Sequence, residues 1–236
     1  MPPTEPQLRR ILLALDAAGP SPAAMSLAVS LAARLQAELD TMLLTPAELT
    51  RAAALPFTTE ISLLAGMERR LSTPLIERSL QGLVERVRAT MRQLADPARI
   101  HWSLQLGAWA EWEGMLAQPL AGSLFVLRSA AERASGQLPR GATASEGVCV
   151  VHGDDPAGQA ALDIARALDP TATCLAIDRE GLSTPGTIDP TVARLLGCLS
   201  RLRPQTVVLP ASWYGTRATQ LRPVLSRVEC NLVIVG

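Results

Sequence analysis

The stretch RILLALDAAGPSPAAMSLAVSLAARLQAELDTMLLT, residues 10–45, decides the fold. Its first segment, 10–16, is a short apolar run of the kind found in buried parallel strands. A turn rich in Gly and Pro follows, and Ser21 with Pro22 then signals a helix start, because Ser caps free backbone amides and Pro fits the first turn. Apolar residues recur at helical spacing over 22–36.

A second apolar run, 38–45, follows this helix at once, so the opening stretch predicts a strand–helix–strand unit. Further predicted strands cover 99–106, 123–127, 147–155, 171–178, 206–210 and 231–236, and the predicted helices cover 74–95, 108–118, 156–168, 190–202 and 216–227. The stretch 46–73 is less regular, and a short helix at 46–54 and an extended segment at 57–63 are expected there.

Strands that alternate with helices indicate βαβ units and an α/β fold. Because crossovers between parallel strands are right-handed, helices should cover both faces. We therefore expect mainly parallel sheets of a Rossmann-like kind, with helices on both faces.

An internal repeat divides the chain. Residues 128–146 are polar, small and contain Gly, which is typical of a linker. After them, VCVVHG-DDPAGQ-AALDIARAL matches ILLALD-AAGPSP-AAMSLAVSLAARL by residue type. We predict a first unit at 1–127 and a second, shortened unit at 147–236. Neither unit looks complete, so the two are expected to pack into one cooperative body.

Composition excludes several classes of function. The 22 cationic residues balance 22 acidic ones, so there is no net charge to attract nucleic acid or an anionic membrane. Every cation is Arg, which excludes a catalytic or phosphate-binding Lys. The start MPPTEPQLRR has no apolar signal core, and no apolar run reaches the roughly 20 residues of a membrane span. The four cysteines form no CxxC pair and suggest buried reduced thiols, so the cytoplasm is the expected compartment.

Together these segments resemble the universal stress protein family. The resemblance rests on a first strand ending in Asp, ILLALD, on a small-residue turn that opens the Ala-rich helix SPAAMSLAVSLAARLQAEL, and on the immediate second strand LDTMLLT. LPFTTEIS before a long charged helix is similar to tandem bacterial members. Another doubly wound α/β domain, such as a flavodoxin-like or nucleotide-hydrolase-like relative, is the alternative.

The resemblance implies an adenine-nucleotide cleft at the carboxyl ends of the strands, where open α/β sheets bind ligands. In that family the Asp that ends the first strand faces the nucleotide, which would be Asp16 here. The end of the second strand lines the adenine, which would be near Thr41 and Met42. In the second unit Gly153 takes the place of the Asp.

The family's phosphate loop, Gly-x2-Gly-x9-Gly-Ser/Thr after the fourth strand, is missing. Phosphate oxygens need bare backbone amides, which Gly provides, yet no two glycines are three residues apart anywhere in the chain. One hypothesis is a cleft that binds no nucleotide. The other is an altered loop in which arginines supply the positive charge. Arg128 is the first candidate to contact the phosphates, and Arg133 and Arg140 are further candidates.

Other sequence patterns indicate structural roles and not metal-binding or catalytic ones. The two histidines have no metal-ligand spacing, so no metal site is expected. Asp154 and Asp155 before Pro156 predict a helix cap more simply than a cation site. Trp109 and Trp112 predict core packing, with a partner-binding patch as the alternative. The pair Trp213-Tyr214 is expected in a loop that closes the second cleft.

The sequence thus predicts a non-enzymatic stress-response or regulatory protein without a cofactor, acting on a protein partner. One-unit members of the family commonly pair, so the tandem chain should form an intramolecular pseudo-dimer, and a further homodimer is left open. One alternative is a sensor of ATP or AMP that uses Asp16, Thr41, Met42 and Arg128. Another is a small-molecule hydrolase or transferase on the same fold.

Overall fold

The computed structural model describes residues 10–45, 47–61, 66, 68–117, 122–128, 145–177, 189–225 and 230–236 of the chain. The elements up to residue 128 are β1 (Arg10–Asp16), α1 (Pro22–Leu35), β2 (Glu38–Thr45), α2 (Ala47–Ala54), β3 (Thr59–Ile61), β4 (Glu68–Arg70), α3 (Thr73–Ala95), β5 (Trp102–Ala108), α4 (Trp109–Ala117) and β6 (Ser123–Arg128). The later elements are β7 (Ser145–His152), α5 (Pro156–Leu168), β8 (Thr173–Ala176), α6 (Pro190–Leu202), β9 (Pro204–Pro210), α7 (Ala211–Leu225) and β10 (Asn231–Val235).

Within these ranges, eight strands form one sheet in the order β5-β2-β1-β6-β10-β9-β7-β8. Within this sheet, β1, β2, β5 and β6 are parallel to one another, and so are β7, β8, β9 and β10. Strands β3 and β4 form a separate antiparallel hairpin. This topology confirms the α/β class with a mainly parallel, Rossmann-like sheet, and it shows one continuous sheet where the sequence suggested one for each unit.

The two sets of strands meet at an antiparallel pair in the middle of the sheet. Strand β10 pairs with β6, and Asn231 at the start of β10 lies opposite Arg128 at the end of β6. Because the two sets run in opposite directions, their carboxyl ends lie at opposite edges of the sheet. A ligand site at the end of β1 and one at the end of β7 would therefore be far apart.

Helices cover both faces of the sheet, as predicted. Helices α1, α3 and α5 pack on one face, and α4, α6 and α7 pack on the other. Strand β1 supplies both cores by alternation, with Leu13 on the first face and Leu12 on the second. Trp112 of α4 is buried in the second core, edge-on to Phe125 at a ring distance of 5.5 Å, which confirms core packing for that residue.

Three helices begin at a capping side chain followed by Pro. Ser21 accepts a hydrogen bond from an amide of α1, Asp155 does so for α5, and Asp189 caps α6. Each cap satisfies amides that have no partner inside the helix. The predicted cap before Pro156 is thereby confirmed.

One local prediction was wrong, and one strand was not foreseen. The loop expected at Trp213-Tyr214 is helical, because α7 begins at Ala211, directly after β9, and both aromatic side chains are buried in the second core. The hairpin strand β4 was not foreseen, since three residues carry too little pattern. The predicted linker, 128–146, lies almost wholly outside the described residues, and the division into two units stays a prediction.

Candidate functional site

Asp16 ends β1 at the carboxyl edge of the first strand set, where the sequence placed it. Its carboxylate accepts a hydrogen bond from the Ala18 amide at 2.9 Å, and its carbonyl accepts one from the Gly19 amide at 3.1 Å. These bonds form a tight turn that leads into α1. Part of the hydrogen-bonding capacity of Asp16 is therefore used by its own turn.

Thr41 and Met42 do not lie beside Asp16 at the edge. Strand β2 continues to Thr45, and Leu44 is the residue opposite Asp16. Thr41 is fully buried, and its hydroxyl has no hydrogen-bond partner among the described residues. Met42 is buried on the other face of the sheet, in the second core. Their expected position at the strand's end is thus corrected, since Thr41 and Met42 lie in the middle of β2, which extends to Thr45.

Arg128 ends β6 next to β1, so its backbone lies at the same edge as Asp16. Its side chain lies outside the described part of the chain. Arg133 and Arg140, the other cations considered for this edge, lie outside it as well.

At the opposite edge, a cleft of about 270 Å³ lies at the end of β7. Its lining consists of His152, Gly153, Asp154, Asp155, Ala176, Ile177, Ser212 and Trp213. Asp155 connects two elements there: it accepts a hydrogen bond from the Gly158 amide at 3.1 Å and another from the Ser212 hydroxyl at 3.1 Å. Sequence reasoning missed Ser212, which only the fold brings to Asp155.

A charged cluster joins α6 to α7 behind this cleft. Arg217 donates a hydrogen bond to Asp189 at 2.6 Å, and its guanidinium lies 5.4 Å from the ring centre of Trp213. Burial raises the pKa of Asp189, but the bond and charge of Arg217 and two amides of α6 outweigh it, so the pKa lies below its ordinary value. The cluster therefore holds a buried carboxylate in its charged form and fixes Trp213 in place.

Two buried thiols, Cys149 of β7 and Cys198 of α6, lie in contact, with their sulfurs 3.4 Å apart. Burial raises the pKa of the Cys149 thiol well above its ordinary value, and the contact with Cys198 raises it further. Cys149 is therefore a poor nucleophile.

Within the described ranges, no group of three or more His, Cys, Asp or Glu residues is arranged to hold a metal ion. In the same ranges, no helix combines the length and the apolar character needed to cross a membrane.

Comparison with known proteins found similar chains among solved structures. No family model matches the sequence, and no curated protein does. Among solved structures, the chain is similar to a universal stress protein from Archaeoglobus fulgidus DSM 4304, with a TM-score of 0.45 and 11% identity. That match covers 98% of this chain and 97% of the other.

Proposed function

We propose that this chain is a non-enzymatic, universal-stress-protein-like regulatory protein that works without a bound nucleoside polyphosphate. The observation that carries the proposal is the cleft at the end of β7, which is small and acidic and has Trp213 in its wall. A sequence resemblance to the family's strand–turn–helix opening gives the class, and the site supports the absence of nucleotide.

Electrostatics in that cleft oppose phosphate. Asp154 and Asp155 both line it, and no Arg is among the lining residues that the structure describes. The Gly158 amide, which points out of the start of α5, is already used by Asp155. A polyphosphate at the start of α5 would have to displace the Asp155 carboxylate from the Gly158 amide. No Arg of the described lining would offset the loss of that hydrogen bond.

The cleft measures about 270 Å³, near the lower end of the range of about 300–1,000 Å³ for pockets that hold small ligands. Trp213 is buried and held by the Asp189–Arg217 pair, so it does not swing aside cheaply.

Under this proposal, neither carboxyl edge of the sheet binds a nucleotide or catalyses a reaction. The protein would instead act through its surface on a protein partner in the cytoplasm. Pairing of its two halves would provide the dimer that one-unit relatives form from two chains, and no cofactor would be required.

A thermal-shift series with ATP, ADP, AMP and cyclic nucleotides tests this proposal. A nucleotide present at about 100 times its dissociation constant would stabilise the chain by roughly 2.7 kcal/mol, so binding would be plain. We expect no shift, and no nucleotide released when the purified protein is denatured. ATP that co-purifies with the protein would contradict the proposal.

The second candidate, a sensor of ATP or AMP, is favoured by the position of Asp16 at the carboxyl edge beside the end of β6. If a nucleotide does shift the melting temperature, Asp16→Ala should abolish the shift. Asp163→Ala, an exposed substitution on α5, should leave it unchanged and serves as the control.

A further inference from the structure

A larger cleft lies beside α3 on the first face of the sheet. Its volume is about 650 Å³, and its lining consists of Ala17, Ala18, Pro20, Glu60, Leu71, Leu75, Ile76, Ser79, Leu80, Leu83 and Arg86. The turn after β1 forms one wall, α3 forms another, and Glu60 of β3 lies at the side. Among the described side chains, those of Asp16, Thr41 and Met42 are not part of the lining.

The walls are mainly aliphatic. Leucine, isoleucine, alanine and proline side chains make up most of the lining, and the volume falls within the usual range for small-molecule sites. Leu75 and Arg86 lie on the same helix, and eleven residues of helix separate them by about 16 Å. The cleft therefore suits an elongated apolar molecule that lies along α3.

Arg86 supplies a charge for one end of such a molecule. Its side chain runs back along α3, with Nη1 3.8 Å from the place that a Cβ on Gly82 would occupy. Among the residues that the structure describes, none forms an ion pair with Arg86. By contrast, Arg88 pairs with Glu85 on the same helix.

Glu60 is the other charged residue among the described lining residues. It already interacts with another residue of the chain, so its charge is not wholly available to a ligand. The described lining thus combines an aliphatic wall with one guanidinium that has no ion-pair partner among the described residues. A guanidinium binds a carboxylate through two parallel hydrogen bonds.

We propose that this cleft binds a linear amphipathic carboxylate of the fatty-acid class. The acyl chain would lie against Leu75, Ile76 and Leu80, and the carboxylate would accept hydrogen bonds from Arg86. The cleft adjoins the Asp16 turn, since Ala17 and Ala18 line it, but the Asp16 carboxylate itself is not among the lining groups that the structure describes.

Calorimetric titration of the full chain with octanoate, decanoate and dodecanoate, each below its micelle-forming concentration, tests the acyl part. Burial of a methylene contributes about 0.8 kcal/mol, so each added methylene should tighten binding about fourfold. Affinity that does not rise with chain length, or an absence of saturable binding, would overturn the proposal.

The head group is tested with dodecanol and dodecylammonium. Dodecanoate should bind at least about tenfold more tightly than either, since only the carboxylate pairs with Arg86. Tighter binding of the ammonium would show that Glu60 governs the cleft and would refute the assignment.

Substitutions in α3 test where the ligand binds. Arg86→Gln should weaken dodecanoate about tenfold and leave dodecanol unchanged, whereas Arg78→Gln, an exposed change on the same helix outside the lining, should alter neither. Ser79→Trp should fill the cleft and abolish binding of both ligands, with circular dichroism and the melting temperature reporting that the chain still folds. Equal affinities in the Arg86 and Arg78 variants would overturn the proposal.

Discussion

Gly158, in the first turn of α5, lies directly against the backbone of Gly153 at the end of β7. A Cβ at position 158 would fall 2.4 Å from the Gly153 amide nitrogen and 2.6 Å from its carbonyl oxygen. Both are backbone atoms, so the contact cannot be relieved by a side-chain rotation. The close approach of α5 to β7 therefore requires glycine at 158.

Gly158→Ala should destabilise the protein by about 3 kcal/mol, because the strand and the helix must move apart to admit the methyl group. Urea denaturation measures the change. Gly215→Ala in α7 is the matched control: nothing lies within 4 Å of the added Cβ, so helix propensity alone should stabilise by about 0.5–1 kcal/mol. Equal effects of the two substitutions would contradict the packing argument.

Asp189→Asn should lower the free energy of unfolding by about 2 kcal/mol at pH 7, because a hydrogen bond between two charged groups is replaced by a weaker one. The folded pKa of Asp189 lies below its ordinary value. The stabilisation is therefore complete above the unfolded pKa of about 3.9 and is lost as the pH falls through the folded pKa.

The difference in stability between wild type and Asp189→Asn should thus shrink as the pH is lowered below about 4, as followed by chemical denaturation. Asp163→Asn, which changes an exposed carboxylate on α5 bonded to Gln159, should have little effect at any pH. A difference that stays constant down to pH 2 would rule out the ionised Asp189–Arg217 pair.

The cysteines should differ in reactivity in the native protein. Cys174 is exposed, whereas Cys149, Cys198 and Cys230 are buried, and burial raises the pKa of Cys149. Alkylation at pH 8 followed by mass spectrometry should label Cys174 first, and Cys174→Ser should remove the fast label. Rapid native labelling of Cys149 would contradict the buried contact with Cys198.

Thr41→Val should stabilise the protein by about 1 kcal/mol, because it removes a buried hydroxyl that has no partner among the described residues and keeps the shape. Thr45→Val is the control, since the Thr45 hydroxyl donates to the Gly107 carbonyl at 3.3 Å and its loss should destabilise slightly. Thermal unfolding compares the two. A loss of stability in Thr41→Val would indicate a hydrogen bond that this packing does not contain.

The two halves, 1–127 and 146–236, should not fold when expressed separately. Strands β6 and β10 pair in the middle of the sheet, and both are largely buried. Separation would expose a long apolar strand edge on each half, which favours aggregation. Two fragments that are each monomeric and melt cooperatively would refute the single cooperative body.

Local signals predicted much of the fold. Helices α5 and α6 begin and end at the predicted residues, because each starts with an Asp cap and a Pro and continues with a clear apolar stripe. Strands β1 and β2 also match, since their apolar runs are bounded by turn residues and by the helix between them. In these segments, neighbouring residues contain the whole signal.

What sequence reasoning could not predict depends on distant contacts. The antiparallel pairing of β6 with β10 joins strands about a hundred residues apart, and no local pattern encodes it. Two other contacts also join residues that are distant in the sequence: Ser212 bonds to Asp155, and Arg217 pairs with Asp189. At the candidate site, the position of Asp16 followed from a visible turn, whereas the expectation for Thr41 rested on the family resemblance and not on the extent of β2, which reaches Thr45.

The antiparallel seam between β6 and β10 also has a consequence for evolution of the surface. Loops that follow strands of one half project from one rim, and those of the other half project from the opposite rim. Insertions or charge changes in the loops at one rim therefore leave the loops at the other rim undisturbed.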